Sequence, residues 1–511
     1  MNNENHQTIF YYRRLIKNTL WNIGGTAWTF IFQLMLFPYI VHKMGDEKYG
    51  VWSITWILLT CFGFLELGAG TALTKYLAEL FTIKDYEKAN RTFWTSLYTS
   101  IFQGIIGAVI IYLLASYLVM NFFTISNNIA PLAIKVIKVS SVGLILSFAF
   151  ASINSVSCAL QKFHISNKIS ALVNSIQLLG AAVILWLKGD LIEIIYFYLI
   201  VKAASIIIYY QITKKIMPNL KHYYWGKNEF IKIIKYGSFV SINMILATLI
   251  IQIEKLLIAS LISVSAITYY IIPYNVIAKF EALSLSISTA LLPTISEIHS
   301  LKNYGAAKEI LIKTNRILCS FAAFITGLMI IFANNFLTLW MGKEFSDKST
   351  IIFQFLCISF YISMLSYIPQ SFLRAIEKPH IPALYNIIEF IIYIPIAYLL
   401  IKKIGLTGAA ISFGIKAFLD AILLSVASFK FLKIQFIEGI KIFLNIAVIV
   451  GILMISCIEI VIHFKPLSLI TLLIYSFIYS LTIIYLIINY ILEIGEKEFI
   501  KTKLLSFFHK Q

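Results

Sequence analysis

Nine side chains that carry charge in water sit well inside long apolar runs: Glu66, Lys202, Glu254, Lys255, Lys279, Glu281, Glu389, Lys416 and Asp420. Two kinds of chemistry suit such groups. A lysine ammonium brings three donors and a full positive charge to an anion such as a phosphate. A carboxyl group stripped of water favours its neutral form, so it can take up a proton or hold a small cation. At mid-bilayer each group facing lipid costs roughly 2.5–3.5 kcal/mol, and nine together on the order of 25 kcal/mol. Packing does not offset a sum of that size, so most of them should face a watery hollow or one another.

Lys202 has no acid one turn away in its own run, where the nearest are Asp190 and Glu193, and it is the leading candidate for a cation that meets an anionic headgroup. Lys255, Lys279, Lys416 and Arg316 complete the candidate cations. Glu66 and Glu389 are lone carboxylates in apolar surroundings and, with Glu254 and Asp420, are candidates for coupling to a proton or sodium ion. Competing structural readings exist. Lys416 and Asp420 lie four apart on one helix face and could neutralise each other. Glu254 and Lys255 point about 100° apart and Lys279 and Glu281 about 200°, so neither pair can face one cavity together. Arg316 and Arg374 lie near inner ends, where topology alone explains them. Apart from Arg316, the mid-span cations are all lysines, point charges that release a phosphate more easily than a bidentate guanidinium fork.

These residues need elements that cross a bilayer. The chain has 511 residues, of which 59% are hydrophobic and 13% charged. Its mean hydropathy is +0.85. A soluble domain holds about 45–50% apolar and about 25% charged residues, so the excess apolar surface faces lipid. Runs long enough to span as helix number fourteen: 19–42, 50–80, 92–119, 131–160, 168–187, 191–213, 236–262, 266–298, 310–341, 349–373, 382–401, 406–430, 442–463 and 467–492. None shows the alternation of a membrane strand. The formal charge of +18 lies between these runs, which marks topology and argues against a nucleic-acid partner. The five cysteines lie inside apolar runs without paired spacing and read as packing residues with no disulfide. The histidines offer no metal spacing, and no Walker A motif is present.

With the N-terminus inside, inner segments hold 28 of the 42 Lys and Arg residues and outer loops 8, which places both termini in the cytoplasm. Gly70–Asn90 has an ungapped echo 218 residues later in Ser288–Lys308: Thr71, Ala72, Leu73, Glu79, Lys84, Tyr86 and Ala89 recur as Thr289, Ala290, Leu291, Glu297, Lys302, Tyr304 and Ala307. Six spans separate the copies, so they point the same way, as parallel repeats do. The expected organisation is an N-terminal lobe (1–213), an amphipathic cytoplasmic linker (214–235), a C-terminal lobe (236–430) and a final pair of spans with a cytoplasmic tail (431–511). The linker mixes Lys215, Lys221, Lys227, Lys232 and Lys235 with Tyr223, Tyr224, Trp225 and Phe230, and suits an amphipathic helix lying on the anionic inner leaflet. The last two spans look peripheral.

Met44-Gly45, Tyr49-Gly50 and Glu66-Leu67-Gly68 resemble the first two spans of polysaccharide-unit flippases of the Wzx type, in the multidrug/oligosaccharidyl-lipid/polysaccharide exporter superfamily. Tyr236-Gly237, Glu254, Tyr269-Tyr270, Pro293, Trp340-Met341-Gly342 and Gly405–Ala410 extend the resemblance over nearly the whole chain. Met44 stands where the family has Leu, a mild departure. The resemblance implies an all-α integral membrane fold of about fourteen helices: two parallel six-helix lobes around a V-shaped central cavity, plus two C-terminal helices. It implies movement of an undecaprenyl-pyrophosphate-linked oligosaccharide across the bacterial inner membrane by alternating access, for O-antigen, lipopolysaccharide or capsule. Antiport of H+ or Na+, no other cofactor, contact with membrane lipids and a polysaccharide polymerase partner go with it. A multidrug exporter and a lipid II flippase of the same superfamily are alternatives; cationic drugs fit a lysine-bearing cavity poorly. A sugar-polymerising membrane enzyme is a third, disfavoured because no outer loop is large enough to carry a catalytic site.

Overall fold

The computed structural model describes residue 24 and residues 27–432, apart from 67, 218–219, 221–223 and 302, together with single positions between 474 and 485. The basic N-terminus (1–17), Cys457, the run 442–463, most of the run 467–492 and the tail (493–511) lie outside the described residues. Two compact units divide the chain, Met1–Thr268 and Tyr269–Gln511. Among the described residues every regular element is helical.

The first unit holds α1 (27–44), α2 (Asp46–Phe62), α3 (Ala69–Thr82), α4 (Tyr86–Tyr117), α5 (Ala130–Ser140), α6 (Val142–Ala159), α7 (Phe163–Trp186), α8 (Leu191–Ile216) and α9 (Lys227–Leu261). The boundary falls within α10 (Val264–Ala290). The second unit continues with α11 (Leu292–Ser300), α12 (Tyr304–Met341), α13 (Lys343–Met364), α14 (Tyr367–Ala375) and α15 (His380–Phe431). Among the described residues eight helical segments are long and apolar enough to cross a membrane. The 52-residue α15 absorbs two of the expected runs, because Ile404 and Gly405 leave helical geometry between them. Gly405 has φ 65° and ψ −141°, a conformation that only glycine adopts without strain. The expected run 50–80 is likewise broken: α2 ends at Phe62, a tight turn covers Gly63–Glu66, and α3 starts after Gly68.

The internal echo is a repeat of structure. Asp85 starts α4, its side chain accepting from the Lys88 N–H, and Asn303 starts α12, its side chain accepting from the Ala306 N–H. Their backbones agree closely, φ −83° and ψ 75° against φ −87° and ψ 77°. Ahead of each cap, the N–H of Ile83 bonds the Glu79 carbonyl at 3.2 Å, and that of Leu301 bonds the Glu297 carbonyl at 3.2 Å. The same helical faces build each core. Leu77, Ala89 and Phe93 belong to one buried cluster, and Ile295, Ala307 and Leu311, each 218 positions on, belong to the other.

With lipid as apolar as leucine, helices associate through small residues and interhelical hydrogen bonds. In the first unit the Ser152 hydroxyl donates to Ser100 at 2.8 Å, and a Cβ on Gly104 would stand 2.7 Å from the Ile145 Cα. The motif residue Gly50 has the same explanation, since a Cβ there would lie 2.2 Å from the Val264 carbonyl oxygen. In the second unit the Ser359 hydroxyl donates to the Ala410 carbonyl at 2.8 Å, with Gly414 beside it. Tyr479 is buried against α12 in that unit: its hydroxyl donates to the Ala323 carbonyl at 2.7 Å and fills the space over Gly327.

The linker differs from a separate helix lying flat. From Lys227 onward it forms the first turns of the continuous 35-residue α9. Ile233 is buried with Ala69 and Ala72, Lys75 stands 4.4 Å over the Tyr236 ring, and the Gly226 N–H donates to Thr95 Oγ1 at 3.0 Å. Contacts of this kind fasten the segment to the first unit.

Candidate functional site

Helix α8 carries two stripes. Glu193, Tyr196, Ile200, Ala204, Ile207 and Gln211 are exposed, while Leu191, Ile195, Tyr198, Lys202, Ser205, Tyr209 and Thr213 are buried or half-buried. Both follow the three-to-four spacing of one helix face. Lys202 therefore lies on the inward stripe, as the cost of a charge against lipid requires. Its ammonium stands 3.9 Å from the centroid of the Phe150 ring on α6. Among the described residues no carboxylate pairs with it. One and two turns along, the Ser205 hydroxyl donates to the Lys202 carbonyl at 2.6 Å, and the Tyr209 hydroxyl donates to Asn154 Oδ1 at 2.6 Å. On the other side, Tyr198 packs against Trp52 and Trp56 of α2 with ring centroids 5.9 and 5.4 Å away. The seam between α6 and α8 thus pairs one cation with rings and neutral dipoles.

The remaining candidates in this unit are engaged locally. Glu66 accepts from the Gly70 N–H at 3.1 Å in the first turn of α3, where free backbone N–H groups and the helix dipole favour a carboxylate. Ser155 donates to the Gly70 carbonyl at 2.8 Å, so the Glu66 turn is bound to α6 as well. Glu254 and Lys255 are both buried, with Lys255 Nζ 4.0 Å from Glu254 Oε1 and 2.6 Å from the Ile251 carbonyl. Although adjacent residues diverge around a helix, the flexible lysine stem bends back far enough for the two charges to meet.

In the second unit, four ionisable residues gather. Lys416 on one arm of α15 lies 3.5 Å from Glu389 Oε2 on the other arm. Asp420, buried, stands against the Glu389 carboxyl, and Lys416 acts electrostatically on Glu281 of α10. Glu281 accepts hydrogen bonds from the Ser363 hydroxyl at 3.2 Å and from the Tyr367 hydroxyl. Two sequence readings change. Glu389 is not a lone carboxylate, and the ion-pair partner of Lys416 is Glu389 rather than Asp420 one turn away. The break at Gly405 is what brings positions 27 residues apart together, and no local pattern announces that. Lys279 and Arg316 are half-buried on α10 and α12. Sequence reasoning missed Phe150, Tyr367 and Ser363, which carry no charge to draw attention. Among the described residues no three His, Cys, Asp or Glu side chains are grouped to hold a metal ion.

Among the described residues, one unit thus holds a lysine against a ring and the other a group of three acids around a lysine. The family model described as polysaccharide biosynthesis protein matches residues 15–299, more than half of the chain. The chain belongs to this polysaccharide biosynthesis family. The model described as MatE matches residues 240–399. A Shigella flexneri protein named "Putative O-antigen transporter" is 24% identical over 417 residues, covering 80% of this chain and 96% of its own. Among solved structures, the lipid II flippase MurJ in an inward closed conformation superposes with a TM-score of 0.70 at 15% identity, over 92% of this chain and 99% of that one. An inward-facing multidrug resistance transporter of the MATE family and MOP superfamily gives a TM-score of 0.67 at 12% identity, over 81% and 94%. The fold is that of the MOP superfamily, and this family member is a multi-pass membrane transporter of the Wzx type, not an enzyme.

Proposed function

We propose that the chain flips undecaprenyl-pyrophosphate-linked oligosaccharide units from the cytoplasmic to the outer leaflet of the bacterial inner membrane by alternating access, for delivery to a polysaccharide polymerase. The observation that carries this reading is Lys202, an inward-facing lysine with no carboxylate partner among the described residues. A pyrophosphate entering hydrocarbon without a counter-charge faces a prohibitive desolvation cost, and a mobile ammonium offsets it without gripping too tightly for release. The family match and the O-antigen relative support a saccharide-bearing cargo.

Energy comes from a proton or sodium gradient in this reading. Glu389, Asp420 and Glu281 are three carboxyls gathered around one lysine, so the acids outnumber the local cation. A bound proton or small cation would balance the excess. The deciding experiment removes the chain from its host and identifies the lipid that accumulates. Undecaprenyl-pyrophosphate-linked oligosaccharide on the cytoplasmic leaflet is expected. Accumulated lipid II would make the chain a lipid II flippase, and sensitivity to cationic drugs with no accumulated lipid would make it a drug exporter.

A further inference from the structure

We propose that Phe150 is a positioning residue: its ring holds the ammonium of Lys202 while no cargo is bound, and gives it up when the phosphate of the cargo arrives. The proposal rests on reading Lys202 as the headgroup cation. It begins from geometry, since the ammonium stands 3.9 Å from the ring centroid, inside the distance at which the negative face of an aromatic ring attracts a cation. Lysine on an inward stripe needs some such contact. Among the described residues no acid provides it, and the nearby Tyr209 hydroxyl is already directed to Asn154.

A ring suits a cation that must later change partners. A carboxylate in this place would neutralise Lys202 and have to be displaced by the incoming phosphate, charge against charge. A ring is neutral and unable to repel a phosphate as an anion would, and a cation–π contact is much weaker than a buried ion pair. Lys416 in the second unit illustrates the other arrangement, committed to Glu389 at 3.5 Å. Two lysines embedded in spans therefore have different jobs: one closes a cluster of acids, the other is kept in reserve against a ring.

The test uses the full-length purified chain with F150L, which keeps apolar bulk, and F150W, which keeps an aromatic face. Acylation of Lys202 by an amine-reactive reagent is followed by mass spectrometry with and without inorganic pyrophosphate as the probe. Because the ring favours the unreactive ammonium, F150L should acylate about 2- to 30-fold faster than wild type, and F150W at close to the wild-type rate. Pyrophosphate should protect Lys202 in all three, at a lower concentration in F150L because a competitor for the ammonium is gone. Equal acylation rates in F150L and wild type, or equal protecting concentrations, would overturn the proposal. Altered acylation with no protection in any variant would instead refute Lys202 as a headgroup cation, and the proposal with it.

Discussion

Lys416 reaches across the elbow of α15 to Glu389 at 3.5 Å, rather than to Asp420 one turn along its own arm. The choice of partner matters because Glu389 is only 1% exposed and Asp420 8%. Lys416 pairs with Glu389 and acts on Glu281 as well, while Asp420 stands against the Glu389 carboxyl.

Replacing Lys416 with Met should therefore destabilise the protein by about 3–5 kcal/mol, the usual cost of stripping one partner from a buried ion pair. Combining Lys416→Met with Glu389→Gln should recover much of the loss, because no unbalanced charge remains between them. Thermal unfolding of the purified variants checks this, and a double variant no more stable than Lys416→Met alone would contradict it.

Glu66→Gln separates coupling from folding. The amide oxygen can still accept from the Gly70 N–H, so expression and melting temperature should stay near wild type. If Glu66 carries the coupling ion, cargo movement in reconstituted vesicles should respond less to an imposed proton or sodium gradient. Undiminished response would leave Glu66 as a structural residue at the start of α3 and put the coupling on the Glu389 cluster.

Lys202→Ala should reduce surface polysaccharide while leaving the amount of protein in the membrane unchanged, since no ion pair with a described residue is broken. Lys202→Arg should restore only part of the flux, a guanidinium being a tighter phosphate ligand than an ammonium. Extraction of lipid-linked intermediates from the variants measures both, and full polysaccharide in Lys202→Ala would remove the residue from the site.

The two cap residues allow a test of the repeat. Asp85→Ala and Asn303→Ala should each cost about 0.5–2 kcal/mol, whereas Asp85→Asn and Asn303→Asp should change stability by only a few tenths, because either side chain can accept from the N–H three residues on. Thermal unfolding of the four variants decides it; a large loss in one exchange alone would mean that the two turns are not equivalent.

Much of this fold was readable from hydropathy and from the seven residues shared by Gly70–Asn90 and Ser288–Lys308. Tyr86 and Tyr304 open equivalent helices, and the neighbouring caps, Asp85 and Asn303, are chemically alike rather than identical, so they do not count among the seven shared residues. The inward place of Lys202 followed from the cost of exposing it to lipid, and its α8 stripe agrees. Its ring contact did not follow, since nothing in the sequence says which of the chain's 39 phenylalanines lies opposite. The Glu389–Lys416 pair was hidden for a different reason. Hydropathy marks where a chain crosses the bilayer but not how two arms pack after a turn, and the neighbour in sequence, Asp420, was the more visible partner.

Tyr479 is held more firmly than its place late in the chain suggests. Its hydroxyl takes the room that a methyl group on Gly327 would need, so Gly327→Ala should eject the ring and break its hydrogen bond to the Ala323 carbonyl. Tyr479 is thus a bolt shot into α12, and shortening the chain ahead of it would leave an open keyhole in the second unit.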